Sequence, residues 1–355
     1  MKKVLYVSNI EVPYRTEFFN QFSKYCNLTV LYEREKSSNR DELWSKSKKS
    51  NFKIQYLNGI KIKNEYALDI KILRYVFSKK FDKIILGCYN SPSQMLAIIL
   101  LKLFHKKYYL NIDGEYFIGD KGIKNKIKRF FIKGACSYFI AGEQSAMNLK
   151  KIVNCSPIIP YYFSSLTDYE LEQNKNNKNN NKNDCILVIG QYFDYKGLDI
   201  ALQVAKKNQN LKYKFIGMGN KTNLFLKNVN DMNLSNVEVT PFLSKKELYN
   251  EYRNCKLLLL PSKKECWGLV INEAASFGTP IISTDGSGAA IEFLARDYPQ
   301  FLAESGNADD IYNKIINLFA FDEVEEYKNY LIGRSQAYSI EKSVQYHLNI
   351  INIDN

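Results

Sequence analysis

Two glutamates and a lysine stand out in this 355-residue chain as side chains whose types and surroundings can do chemistry together: Glu265, Glu273 and Lys196. The glutamates lie in the string KLLLLPSKKECWGLVINEAASFGTPIISTD. An apolar run ends at Pro261-Ser262, and a polar loop follows with Glu265 and Cys266. Trp267-Gly268 then opens a helical stretch that begins at Leu269 and carries Glu273. Gly278-Thr279-Pro280 stops it, and a second apolar run starts at Ile281. This spacing predicts a strand, loop, helix, strand unit of the parallel α/β kind, with ligand chemistry where the first strand ends. The start of such a helix has free N–H groups and the positive end of the helix dipole, which suits an anion. Gly268 lets backbone approach closely. Lys196, before Gly197 in CILVIGQYFDYKGLDIAL, adds a point charge at the mouth of another predicted strand-to-helix turn.

The elements that must position these residues are legible in both halves. Apolar runs predict strands at 4–7, 28–31, 84–86, 108–112 and 138–141, and again at 186–189, 213–216, 237–240, 257–260 and 280–283. Helical patterns lie between them, which predicts doubly wound parallel sheets, α/β in class and buried on both faces. The run NKNNKNNNKND has no apolar residue and reads as part of an exposed linker. The expected division is 1–165 for a first Rossmann-like domain, 166–184 for the linker, 185–335 for a second such domain, and 336–355 for a C-terminal helix.

Taken together, these strings resemble retaining glycosyltransferase family 4, within the glycosyl transferases group 1. The resemblance covers nearly the whole second half and rests on the Glu, seven residues, Glu-Ala pattern. Supporting it are FIGMGN, with Gly217 and Gly219, and VEVTPFLSKKELYNEYRNCKLLLLPS. The opening VSNIEVPYRTEFFNQFSK is similar to members that assemble capsule or lipopolysaccharide chains. The resemblance implies the GT-B architecture: two domains facing across a cleft, with the last helix crossing back to the first.

It also implies an enzyme, a metal-independent hexosyltransferase-type glycosyltransferase with no cofactor. Its donor would be a nucleotide-diphosphate sugar. Its acceptor would be a glycan, on a lipid carrier, at the cytoplasmic face of a membrane. By resemblance, Glu265 sits by the donor sugar, Glu273 by the ribose, and Lys196 on the diphosphate. Gly190, Gln191, Gly217, Gly219, Phe242, Cys266, Trp267, Gly268 and Leu269 are the further donor-binding candidates. Relatives usually carry a basic residue where this chain has Gln191. Asp113, at the end of the predicted strand 108–112, is the candidate catalytic residue of the first half. Asp113-Gly114 is equally the composition of a plain turn, and Glu143 equally a helix-start acid. Two other readings stay open: a sugar-nucleotide epimerase, and a non-catalytic glycosyltransferase-like partner subunit.

Composition narrows the partners. Net charge is +13, and its distribution is uneven: residues 1–183 carry 32 basic against 16 acidic side chains. That asymmetry points to an anionic surface or substrate met by the first half alone. In GIKNKIKRFFIKG, 122–134, Ile123, Ile127, Phe130 and Phe131 fall on one helical face, with Lys124, Lys126, Lys128, Arg129 and Lys133 around it. This suits an anionic membrane surface, and equally a core-packed helix with a solvated basic side. No apolar run has the roughly 18 residues of a spanning helix, so the expected place is cytoplasmic and peripheral on the inner face of the cell membrane. No nucleic-acid-binding module is recognised, and nucleic acid is not an expected partner. Seven scattered cysteines without metal-ligand spacing read as reduced, mostly buried thiols.

Overall fold

A computed structural model describes residues 1–35, 49–63, 66–114, 122–153, 156–180 and 183–352. Two compact units emerge. The first comprises Met1–Phe163 with Ile340–Asn355, and the second Ser164–Ser339.

The first unit begins with β1 (Lys3–Ile10), α1 (Pro13–Phe22), β2 (Asn27–Arg34) and β3 (Lys53–Tyr56). A hairpin of β4 (Ile60–Lys63) and β5 (Tyr66–Leu68) precedes α2 (Ile72–Val76), β6 (Lys83–Leu86) and α3 (Pro92–Leu103). Then come β7 (Tyr109–Ile112), α4 (Ile123–Ile132), β8 (Ser137–Ala141), α5 (Glu143–Lys150) and β9 (Ile158–Tyr161). Seven strands pair in the order β3-β2-β1-β6-β7-β8-β9, all parallel. Central strands such as β6 and β8 are buried along their whole length. That is what helices on both faces require, and it explains their unbroken apolar sequence.

The second unit carries α6 (Asp168–Asn176), β10 (Cys185–Ile189), α7 (Leu198–Lys207), β11 (Lys212–Ile216), α8 (Thr222–Asp231) and β12 (Val237–Thr240). It continues with α9 (Lys245–Asn254), β13 (Leu257–Leu260), α10 (Leu269–Ser276), β14 (Ile281–Thr284) and α11 (Gly288–Leu294). β15 (Leu302–Ala303), α12 (Ala308–Phe319) and α13 (Val324–Ser335) complete it. Its sheet, β12-β11-β10-β13-β14-β15, is again parallel. This is the doubly wound order, whose direction reverses between β10 and β13. The last helix, α14 (Ile340–Asn352), packs on α1 and β9 in the first unit.

Every strand expected from sequence is present. β3 and β9 were missed because they are edge strands: β3 is only half-buried, and β9 holds Pro160, which an edge tolerates.

The segment 166–184 differs from the exposed linker expected of it. Thr167 and Glu170 form a capping box that starts α6, and Leu171 and Asn174 are buried. Asn174 donates to Ser276 Oγ at 2.8 Å. Buried Asn179 donates to the Tyr252 and Cys255 carbonyls at 2.7 and 2.9 Å. Asparagine enters the fold here by satisfying buried polar groups, a side-chain hydroxyl and two carbonyls, which a count of apolar residues does not register.

The thiols are also less buried than expected. Among the described residues Cys26 and Cys255 are buried, Cys88 and Cys185 half-buried, and Cys136 and Cys266 exposed, all free. Cys155 lies outside the described residues.

Helix α4 splits its predicted face. Ile123, Ile127 and Phe130 are exposed, at 74, 50 and 51%, whereas Phe131 joins the core with Ile132. Phe131 is one residue and about 100° on from Phe130, enough to turn it inward.

Candidate functional site

The turns after β10 and β13 meet where the strand order reverses. Two glycines make that meeting possible. Gly197 has φ +66°, and a Cβ there would lie 2.0 Å from the Pro261 carbonyl oxygen. Gly268 has φ +106°, and a Cβ there would meet Ser287 Oγ at 2.9 Å and Leu260 Cδ2 at 3.0 Å. The N–H groups of Lys263 and Lys264 both donate to the Tyr195 carbonyl, at 2.9 and 3.0 Å. The Lys263 ammonium joins Asp194 and Asp199 at 2.9 and 3.0 Å.

Within this junction Lys196 Nζ forms an ion pair with Glu265 Oε2. Both side chains are largely covered, 21 and 16% exposed. Ser262 Oγ donates to the same oxygen at 3.3 Å. Glu265 is held from behind as well: its N–H donates to the Gly286 carbonyl at 2.7 Å, and Gly288 N–H donates to its carbonyl at 3.3 Å. Residues 69 apart in sequence are thus one charged pair, so lysine and carboxylate act as a unit. Beside them, a Cβ on Gly190 would approach Lys196 Cδ to 3.8 Å. The Gln191 side chain covers Gly219, whose added Cβ would lie 3.3 Å from its Nε2, while the space beside Gly217 is open.

Helix α10 starts at Leu269 behind Gly268, and no side chain caps it. Its first N–H groups therefore keep the capacity to bind an anion. Cys266 is exposed and Leu269 half-buried. Trp267, expected to meet ligand, is 2% exposed. Its indole N–H donates to Asn272 Oδ1 at 2.9 Å, and its carbonyl accepts from Ser287 Oγ at 2.7 Å. The side chain anchors the turn in the core, and only its backbone belongs to the site. Phe242 is half-buried in the turn between β12 and α9.

Glu273 is one turn further along α10. Its carboxylate accepts from Ser165 Oγ at 2.6 Å and from Tyr252 OH at 2.9 Å, one donor on each oxygen. Burial raises its pKa, opposed by those hydrogen bonds and by Lys245. Each oxygen retains a further lone pair for a second donor. Ser165, Tyr252 and Ser262 were missed from the sequence; the Pro261-Ser262 that ends β13 carried the one available signal.

Asp113 stands in the first unit, after β7. Its Oδ1 accepts from the Arg15 guanidinium, from Tyr161 OH at 2.7 Å and from Asn111 Nδ2 at 2.6 Å. Arg15, Asn111 and Tyr161 are buried, whereas the Asp113 side chain is 36% exposed. No periodicity in the sequence links these four residues. Glu143 is an exposed acid in the first turn of α5. Among the described residues, no group of three His, Cys, Asp or Glu is placed to hold a metal ion.

Two Rossmann-like units, each built on one parallel sheet, the second with an anion-suited junction at its crossover, define the GT-B fold. Residues 169–331, within the second unit, match the family model described as Glycosyl transferases group 1. An uncharacterized glycosyltransferase of Methanocaldococcus jannaschii is 31% identical over 140 residues, and the match spans 39% of each chain. Sucrose-phosphate synthase from Thermosynechococcus elongatus superposes with a TM-score of 0.74 at 13% identity, over 99% of both chains. Anabaena HepE, solved in complex with UDP and glucose, gives 0.70 at 13% identity, over 99% of this chain and 100% of that one.

Proposed function

We propose that this protein is a retaining glycosyltransferase. It moves a sugar from a nucleotide-diphosphate donor to a glycan, lipid-linked at the cytoplasmic face of a membrane, in cell-surface polysaccharide synthesis. The observation that carries this reading is the Lys196–Glu265 pair set against the uncapped start of α10. A diphosphate at that helix start gains its dipole and N–H groups together with the Lys196 charge. Glu265, released from part of its ion pair, then accepts from sugar hydroxyls, while Glu273 accepts from a ribose diol. Gly217, Gly219, Gln191 and Phe242 border the nucleoside. UDP-sugars are the first donors to test, because HepE was solved with UDP and glucose.

In this reading the bond from C1 to the phosphate oxygen breaks as the acceptor oxygen bonds to C1 from the same face. The acceptor proton passes to the departing phosphate oxygen. Lysine and helix N–H groups stabilise the charge on the leaving diphosphate, so the reaction is proposed to need no metal. Asp113 is assigned to the acceptor side.

The membrane part draws on a surface of two helices. Helix α4, with Ile123, Ile127 and Phe130 exposed, packs on α3, whose Ile99 and Leu103 are also exposed, as is Phe104 just after it. Lys102 lies 4.1 Å over the Phe130 ring. Apolar side chains ringed by lysines suit an anionic lipid surface.

The deciding experiment measures release of nucleoside diphosphate from a panel of sugar nucleotides, with and without EDTA and a glycan acceptor. Release from one donor, raised by acceptor and unchanged by EDTA, supports the proposal. Acceptor-independent release of an altered free sugar means an epimerase. No release and no thermal stabilisation by any nucleotide means a non-catalytic subunit; a ligand at 100 times its Kd stabilises by about 2.7 kcal/mol.

A further inference from the structure

We infer that His347, on the C-terminal helix, is a positioning residue for Asp113. This rests on the proposal that Asp113 serves the transfer reaction. His347 is fully buried. Its imidazole stacks on Phe139, with ring centroids 4.4 Å apart and 19° between planes, and meets the edges of Phe18 and Tyr161. Nε2 lies 2.7 Å from Asn111 Oδ1 and Nδ1 lies 2.7 Å from the Ser343 carbonyl. A hydrogen on each nitrogen would suit both carbonyls, but burial pushes the imidazole pKa down to about 3, and Arg15 opposes a second positive charge. The ring is neutral, and the Nε2–H form is the one that serves Asn111.

Asn111 passes that contact on. A carboxamide can turn either way, and what fixes it is a donor on its oxygen side and an acceptor on its nitrogen side. His347 supplies the first, and Asp113 Oδ1, at 2.6 Å, is the second. Tyr161 donates to the same Oδ1, and so does Arg15. All the donors thus gather on one oxygen. Among the described residues no donor reaches Oδ2, which stays available to an outside partner on a side chain 36% exposed. The chain from His347 through Asn111 sets the plane of that carboxylate. Because His347 belongs to α14, Asp113 reaches this geometry only when the last helix has packed on α1 and β9.

Two substitutions separate positioning from packing. His347→Phe keeps an aromatic ring against Phe139 and loses the donor; His347→Gln loses the ring and keeps an N–H for Asn111. With the donor and acceptor that support turnover, Phe is expected to lower kcat about tenfold, the scale of one lost buried hydrogen bond. KM for the donor, whose candidate contacts lie in the second unit, is expected to stay unchanged. Gln is expected to stay within about threefold of wild type. Asn111→Ala should reproduce the Phe result, and neither change should add to the loss in Asp113→Ala. Should Phe be tolerated better than Gln, or its loss persist in the Asp113→Ala background, His347 acts by packing alone and the inference falls. Wild-type turnover of Asp113→Ala itself would instead remove the role of Asp113.

Discussion

Replacing Glu265 with Gln keeps the length and shape of the side chain and removes its charge. The change removes the charge that pairs with Lys196 and leaves one acceptor oxygen where there were two, for Ser262 or for ligand. The backbone hydrogen bonds to Gly286 and Gly288 remain, so the loop keeps its course. Both partners are partly solvated, at 21 and 16% exposure, so the pair is discounted from a buried one, to about 1 kcal/mol of stability. That corresponds to a fall in Tm of about 2–4 °C for a unit of this size. Turnover should suffer far more. Losing a preorganised acceptor at the reacting sugar costs about 2–4 kcal/mol of transition-state stabilisation, or roughly 30- to 900-fold in kcat. KM for the donor should hold or fall, because Lys196 keeps its charge and loses its competitor. Release of nucleoside diphosphate, followed with purified variant and a confirmed donor, measures kcat and KM, and a thermal melt measures the stability change. A kcat near wild type would refute the site. So would a Tm loss large enough to account for the missing activity.

Lys196→Ala should raise KM for the donor and lower kcat together, because one charge serves both the bound and the departing diphosphate; a change in only one of the two constants would count against this. Glu273→Gln should weaken binding of any nucleoside diphosphate by a similar factor whatever sugar it carries, in calorimetry; strong dependence on the sugar would mean the roles of Glu265 and Glu273 are exchanged. Replacing Lys124, Lys126, Lys128 and Arg129 with Gln should reduce sedimentation with anionic vesicles at low salt and spare turnover of soluble donor; equal sedimentation would exclude α4 as the anchor. Burial raises the pKa of Glu33, bonded to Ser91, from 4.5 to about 7. The folded chain therefore holds a proton that the unfolded chain has lost, and stability should fall by about 3 kcal/mol as pH rises from about 4.5 to about 7. Glu33→Gln should flatten that dependence in urea melts, and an unchanged slope would refute it.

Much of the second unit was legible because its signals are local. Leu257 to Leu260 is an unbroken apolar run, and it is a strand buried on both faces. Gly268 and Gly278 bracket a helix, and they do so in the structure with φ of +106° and +67°. Lys196 and Glu265 were each legible at a turn, but their pairing was not. It depends on the β10–β13 crossover, a property of strand order and not of either turn. Trp267 shows the opposite limit: an aromatic in a ligand-like string reads as a contact, yet its indole found Asn272 five residues on, in the helix that follows. The Asn-rich stretch misled for a third reason. Composition measures what a segment can bury, and Asn179 is buried for what it can donate.

The first unit was harder to read because the hydrogen-bond network around its candidate residue draws on four separate elements. Arg15 is on α1, Asn111 on β7, Tyr161 on β9 and His347 on α14. Each looks ordinary in its own segment, and the first and last are more than 300 residues apart in the chain. What marks them together is cost. A guanidinium 6% exposed and a histidine fully buried persist in a core only where their hydrogen bonds are met. Arg15 meets that condition through Asp113, and His347 through the hydrogen bond from Nε2–H to Asn111. A packing role alone would be filled more cheaply by apolar residues of similar size. That argument favours a functional reason for the cluster independently of any resemblance. It also ties the C-terminal helix to the candidate site, where the sequence offered a helix expected to cross back to the first domain but no site residue on it.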